Sequence, residues 1–147
     1  MIVREMGKED VPQVIALARQ LAQHVKDPDP NLTPETVEDL AFGPARWFEA
    51  LVVEDAEKVI GFAAFTQSFE LHTDSRMLMI TDLAVAEKSQ RQGVGQLLLD
   101  ALRCVARERG CSALKLEVWN ENQQARAFYA KQQAQALDDV TLLQIPV

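Results

Sequence analysis

The sequence DLAVAEKSQRQGVGQLL, residues 82–98, joins a predicted strand to a predicted helix. It closes an apolar run of strand length, Met77–Val85, continues as a polar loop, and reaches two glycines, Gly93 and Gly95, that open a helix. Free N–H groups at a helix start point at whatever lies there, and the helix dipole favours an anion. Glycines let the backbone approach phosphate oxygens, and Arg91 adds a cation. The pattern indicates an anion site, although glycines that merely open a helix would look the same.

Two familiar phosphate-binding motifs do not fit this loop. A Walker loop requires Gly-Lys followed by Ser or Thr, and that tripeptide is absent. A dinucleotide-binding fingerprint requires a third glycine where Leu98 stands, and its first glycine must follow the strand directly. Gly93 instead lies eight residues beyond Val85, which is too far for a tight turn from strand to helix.

The rest of the pattern predicts a single α/β domain over residues 1–147. Apolar residues recur at helical spacing in Val11–Val25, whereas Ala50–Glu54 and Val59–Phe69 are typical of a strand hairpin. The predicted order is β-α-α-β-β-β-α-β-α-β, an α/β (or α+β) arrangement around a mixed sheet, with a β-α-β crossover late. The remaining predicted elements are a strand at 2–4, a short helix at 33–42, the helix Gly93–Arg109, a strand Ala113–Trp119, a helix Asn122–Gln132 and a final strand Val140–Val147.

Composition narrows the classes of function. The chain has 147 residues and a net charge of −7, which argues against a nucleic-acid partner, because such proteins need a basic face. No apolar run is long enough to span a membrane, and the N-terminus lacks the apolar core of a signal peptide, so we expect a cytoplasmic protein with no membrane partner. Cys104 and Cys111 form no CxxC pair, and with only two histidines they argue against a metal site.

Two motifs resemble those of the GCN5-related N-acetyltransferase (GNAT) superfamily. The sequence Q-x-x-G-x-G at 90–95 matches the family's Q/R-x-x-G-x-G/A motif. The sequence N-x-x-A-x-x-F-Y at 122–129 looks like its N-x-x-A-x-x-F/L-Y segment. The motifs occur in the family's order, with one helix and one strand between them. The resemblance implies a single GNAT-like N-acetyltransferase domain.

Within that family the chain resembles most the diamine (spermidine/spermine) acetyltransferase branch. Similar segments are Leu32-Thr33, Phe42-Gly43, Leu51–Glu54, Gly61–Ala63, Asp82–Val85 and Trp119–Glu121. The resemblance breaks where that branch holds its acceptor, because the first helix ends in Gln23-His24-Val25 without the branch's aromatic–acid pair. The turn after the second motif, Gln132–Ala134, also lacks the usual glycine. The acyl donor is therefore better defined than the acceptor.

The resemblance implies acetyl-CoA as co-substrate and no metal. Tyr129 would act as general acid, because a phenol can supply a proton to the departing thiolate. Asp82 or a water chain would deprotonate the attacking amine, although Asp82 could equally be an exposed or structural strand charge. The implied coenzyme contacts are Leu83, Ala84, Val85, Gln90, Arg91, Gln92, Gly93, Val94, Gly95, Gln96, Asn122, Ala125 and Tyr129.

The expected activity is transfer of an acetyl group to a primary amine of a small molecule, such as a polyamine, a diamine or an amino-acid side chain. Two alternatives remain. The acceptor could be a protein N-terminus, a lysine or an amine-bearing antibiotic, or the chain could be a coenzyme-binding module that has lost catalysis. The resemblance also implies a homodimer, and the apolar segment at 140–147 is a candidate for an edge that needs covering.

Overall fold

The computed structural model describes all residues, Met1–Val147, which form two compact units, Met1–Glu117 and Val118–Val147. The first unit contains β1 (Ile2–Glu5), α1 (Val11–His24), α2 (Pro34–Phe42), β2 (Glu49–Asp55), β3 (Lys58–Glu70), β4 (Ser75–Val85), α3 (Val94–Glu108) and β5 (Ala113–Leu116). The second unit contains α4 (Gln123–Lys131). None of these helices combines the length and the apolar character that crossing a membrane would require.

A five-stranded mixed sheet, in the spatial order β1-β2-β3-β4-β5, is the frame of the first unit. Each adjacent pair of strands from β1 to β4 is antiparallel, whereas β4 and β5 run parallel. A parallel pair needs a crossover connection, and α3 provides it. The predicted mixed sheet with a late β-α-β crossover is therefore confirmed.

Helices cover both faces of this sheet. On one face α1 and α2 pack over a core that includes Leu17 and Ala84. On the other face α3 buries Val94 and Leu98 completely or nearly so. Gly61 of β3 lies beneath the start of α3, where a β-carbon would come within 2.8 Å of a Val94 methyl carbon. Glycine at this position therefore allows the first turn of α3 to lie directly on the sheet.

The predicted final strand, Val140–Val147, is wrong, because these residues form no strand and their apolar side chains are exposed. The segment is apolar and of strand length, but a strand also needs a neighbour for its N–H and C=O groups, and the segment's own sequence does not supply one. Most boundaries also differ from the prediction by one to three residues. The helix predicted from Gly93 starts at Val94, and the strand predicted to reach Trp119 ends at Leu116.

Candidate functional site

The carboxyl end of β4 separates from β5. Their parallel register begins at Met77 opposite Ala113 and stops at Ile80 opposite Leu116. On its other side β4 stays paired with β3 as far as its last residue. The stretch Thr81–Val85, called here the open edge, therefore has backbone groups that no strand satisfies.

A β-bulge marks the start of the open edge. Ala64 of β3 lies opposite Asp82, but the next residue, Phe65, lies opposite Ile80, so Thr81 is an extra residue in β4. The Thr81 hydroxyl donates to the carbonyl oxygen of Ala64 at 3.4 Å. Because a bulge bends its strand and increases the local twist, it accounts for the separation of β4 from β5 at this point.

One hydrogen bond fixes the direction of the backbone groups along the open edge. The Ala86 N–H donates to the Ile60 carbonyl oxygen of β3 at 2.9 Å, so the polar groups of Ala86, and of Ala84 two residues earlier, face β3. Those of Leu83 and Val85 face away from β3, into the open edge. Ala84 also has its methyl group in the core. Leu83 and Val85 thus carry the backbone groups with which an extended, amide-containing ligand could pair.

Two glutamine side chains brace the loop that follows β4. Gln90 Nε2 donates to the Val85 carbonyl oxygen at 3.3 Å, and Gln92 Nε2 donates to the Lys88 carbonyl oxygen at 3.0 Å. Between them Arg91 is exposed and has a φ of 61°, a conformation that few residues other than glycine adopt. The glutamine that begins the first motif therefore attaches the loop to the end of β4.

The start of α3 is shaped to receive an anion. Gly93 is the N-cap residue, with a φ of 84° and no side chain to cap the helix. The first helical bond runs from the Leu97 N–H to the Gly93 carbonyl oxygen, so the N–H groups of Val94 and Gly95 point out of the helix end. A β-carbon on Gly93 would meet no atom within 4 Å, and the first turn contains no acidic residue. The space, the N–H groups and the dipole at this helix start fit a pyrophosphate.

Asp82, the predicted base, lies on the sheet face that α1 and α2 cover. It stands directly opposite Ala64, which belongs to the core beneath those helices. The Asp82 side chain is half-buried, and its carboxylate makes no hydrogen bond or ion pair. Gln96, a predicted coenzyme contact, donates from its side chain to Asp100 within α3 at 3.0 Å. No group of three or more His, Cys, Asp or Glu residues is arranged to hold a metal ion.

One residue at the open edge was missed by the sequence reasoning. Gln20, on α1, donates from Nε2 to the Val85 carbonyl oxygen at 3.0 Å. This carbonyl therefore accepts from two glutamines, Gln20 and Gln90. Helical spacing gives no signal of the contact, because its two residues are 65 positions apart in the chain.

The second unit contains the remaining predicted residues, all on or beside α4. Asn122 is the N-cap of this helix, and its Oδ1 accepts from the Ala125 N–H at 3.1 Å. This cap explains why the two residues are three positions apart. The resemblance implied only that both contact the coenzyme. Tyr129 packs edge-on against Phe128, with ring centroids 5.1 Å apart. Burial raises the pKa of Tyr129 to about 12, so its phenol keeps its proton at neutral pH.

Comparison with known proteins identifies the family. The sequence model of the Acetyltransferase (GNAT) family matches residues 16–134. Thialysine N-epsilon-acetyltransferase from Bos taurus is 26% identical over 95% of this chain and 86% of that protein, and the one from Mus musculus is 25% identical over 93% and 85%. The crystal structure of a mutant BH1408 protein from Bacillus halodurans is 26% identical, with a TM-score of 0.82 over 100% of this chain and 99% of that one. This chain therefore belongs to the GNAT acetyltransferase family and is an N-acetyltransferase.

Proposed function

We propose that this N-acetyltransferase transfers the acetyl group of acetyl-CoA to a primary amine of a small molecule, such as a polyamine, a diamine or an amino-acid side chain. Family membership implies acetyl-CoA as the co-substrate, which supplies an acetyl group activated as a thioester. The observation that carries the proposal is the continuous path from the open edge, through the glycine loop, to the uncapped start of α3. A long amide arm that ends in a pyrophosphate needs such a series of backbone donors.

Residues of the first unit would hold the coenzyme. Leu83 and Val85 would pair with the amides of the pantetheine arm through backbone groups that face the open edge. The N–H groups at 93–95 would surround the pyrophosphate, and Arg91 would contribute positive charge. The other predicted contacts of this unit would support the site indirectly. They pack in the core or make side-chain hydrogen bonds to neighbouring residues: Ala84, Gln90, Gln92 and Gln96.

Tyr129 would act as the general acid. With its pKa raised to about 12, the phenol is protonated at neutral pH and can give its proton to the thiolate that leaves when the amine attacks the thioester carbon. Asn122 and Ala125 support this role by fixing the first turn of α4, and they would flank the coenzyme.

Asp82 would remove a proton from the acceptor before the attack, either directly or through water. A primary amine is a cation at neutral pH and becomes a nucleophile only after it loses a proton. The half-buried Asp82 carboxylate makes no hydrogen bond or ion pair, so it is available to accept that proton and to attract the cation.

The acceptor class is supported by the relatives. The proteins from Bos taurus and Mus musculus are named for acetylation of the ε-nitrogen of thialysine. That acceptor falls in the proposed class of small primary amines. The acidic net charge of this chain, −7, is compatible with a cationic acceptor.

A panel of amines tests the proposal. Protein, acetyl-CoA and each amine are mixed with a thiol-detecting dye, and kcat/KM is compared for spermidine, short diamines, lysine, thialysine, a peptide with a free N-terminus and an aminoglycoside. The highest value is expected for a small amine. A clear preference for the peptide or the aminoglycoside would overturn the proposed class of acceptor and favour a protein N-terminus or an antibiotic. No thiol release above background with any amine, despite calorimetric binding of acetyl-CoA, would identify a catalytically silent coenzyme-binding module.

We also propose that residues 1–147 act as one domain and that the protein is a homodimer. The family match at 16–134 extends over both units, which supports one functional domain. The C-terminal segment, Leu137–Val147, exposes most of its apolar side chains, and a second copy of the chain would cover them. Light scattering after size-exclusion chromatography measures the mass, and a monomer at every concentration would end the homodimer proposal.

A further inference from the structure

We infer that Gln20 is a positioning residue for the coenzyme, which holds the backbone of Val85 so that the Val85 N–H is oriented towards the pantetheine arm. The inference rests on the acetyl-CoA site proposed above. Gln20 lies outside both sequence motifs and belongs to α1, on the face of the sheet opposite α3.

The Val85 carbonyl oxygen is an acceptor shared by two side chains. A carbonyl oxygen has two lone pairs, and Gln20 Nε2 at 3.0 Å and Gln90 Nε2 at 3.3 Å engage both. The polar group that Val85 then offers to a ligand is its N–H alone. A donor at this position suits the carbonyl oxygen of a pantetheine amide.

The two glutamines hold Val85 from elements of different kinds. Gln90 belongs to the loop that follows β4, five residues away, so its bond moves with the loop. Gln20 belongs to a helix that is packed on the sheet through buried residues such as Val14 and Leu17. Gln20 therefore fixes the end of β4, which lacks a β5 neighbour, to a part of the fold that does not depend on the loop.

The chain provides a matched control for this contact. Gln13, seven residues earlier on α1, also joins the helix to a strand backbone, because its Oε1 accepts from the Val59 N–H of β3 at 2.9 Å. Both glutamines are half-buried. Only the bond of Gln20 reaches the open edge, so the two variants separate anchoring of the helix from positioning of the coenzyme.

Gln20→Leu and Gln13→Leu are compared by calorimetry with acetyl-CoA, by steady-state kinetics and by thermal unfolding. Loss of a hydrogen bond of ordinary strength changes an equilibrium constant by about 3- to 10-fold. The expected result for Gln20→Leu is a Kd for acetyl-CoA raised by that factor, with a proportional rise in KM and little change in kcat. Gln13→Leu is expected to lower Tm about as much as Gln20→Leu does, but to leave the Kd for acetyl-CoA unchanged.

Two further variants identify the hydrogen bond as the cause. Gln20→Glu keeps the size of the side chain but replaces the donor with an acceptor, so it is expected to weaken binding at least as much as leucine does. In the double variant Gln20→Leu with Gln90→Leu, the losses are expected to be non-additive, because both bonds act on one carbonyl. If the Gln20 variants bind acetyl-CoA like Gln13→Leu, the inference is overturned and the coenzyme site stands. If the wild-type protein binds no acetyl-CoA, the proposed function itself fails.

Discussion

The region from the glycine loop through α3 and the C-terminal segment are both rich in apolar residues, but only the first region buries them. Leu98 of α3 is fully buried, whereas Leu142 and Leu143 of the C-terminal segment are 74% and 81% exposed. The polar groups differ in the same way, since the Gln90 side chain is hydrogen-bonded to the end of β4, whereas the C-terminal segment forms no strand. An apolar pattern therefore yields a regular element only where the chain itself supplies the surface that the element covers.

The largest effect is expected from Tyr129→Phe, which tests whether the less well packed second unit carries the chemistry. Removing the proton donor should lower kcat by about 10²- to 10⁴-fold, with acetyl-CoA affinity nearly unchanged. Single-turnover and steady-state kinetics measure the change. Phe128→Leu is the control, because it alters packing without removing a proton donor. A Tyr129→Phe enzyme with wild-type kcat would remove Tyr129 from the mechanism.

The next largest effect is expected at the start of α3. Gly93→Glu places a negative side chain in the space before the helix, and should raise the Kd for acetyl-CoA by at least about 100-fold through clash and repulsion. Gly93→Ala separates the strain of the positive φ from the charge, and should cost only about 5-fold. Calorimetry measures both values. Unchanged affinity in Gly93→Glu would move the pyrophosphate site away from this loop.

A leucine-to-alanine substitution is expected to affect stability very differently in the two regions. Leu98→Ala creates a cavity beneath α3 and should lower the free energy of unfolding by about 2–5 kcal/mol. Leu142→Ala removes an exposed side chain and should change it by less than about 0.5 kcal/mol at low protein concentration. Urea unfolding measures both. A large loss in Leu142→Ala that grows with protein concentration would show that the segment is buried between copies, as the proposed homodimer requires.

The smallest effect is expected for the pH dependence of stability. Asp10 accepts hydrogen bonds from Arg4, which lowers the pKa of Asp10, and Arg109 similarly lowers the pKa of Glu49. A carboxyl whose pKa is lower in the folded state stabilises fully above its unfolded pKa, about 4, and loses this contribution as the pH falls through the lowered value. Asp10→Asn should therefore be less stable by about 1–3 kcal/mol at pH 7, and its stability should fall less in acid.

Urea unfolding of the wild-type protein and Asp10→Asn at neutral and acidic pH measures this difference. Parallel pH profiles in the two proteins would show that the Asp10–Arg4 pair contributes nothing to acid sensitivity.

The elements that could be predicted from the sequence are those that depend on local pattern. The loop before Gly93 and the helix after it follow from glycine spacing and helical periodicity, and the crossover follows from strand and helix order. The cap at Asn122 was also present locally, as an asparagine three residues before Ala125, although its structural role was not recognised.

The features that escaped prediction depend on partners distant in the chain. The bulge at Thr81 is visible only in the register between β3 and β4, and the bond from Gln20 joins residues 65 positions apart. The final strand was predicted from its apolar residues and its length alone, which do not specify the neighbour that satisfies a strand's backbone. Sequence reasoning therefore located the loop of the candidate site but not the support behind it.

The extra residue at Thr81 changes which face of the sheet the later side chains of β4 occupy. Ile80 stands opposite Phe65 on the α3 face of the sheet, whereas Asp82 stands opposite Ala64 on the other face. In a regular strand two residues so spaced would share a face, so β4 is joined from two halves of opposite phase. If β4 paired regularly beyond Ile80, Thr81 would stand opposite Ala64, and the Asp82 carboxylate would lie on the α3 face. The placement of the proposed base thus depends on the number of residues in the strand as much as on their chemistry.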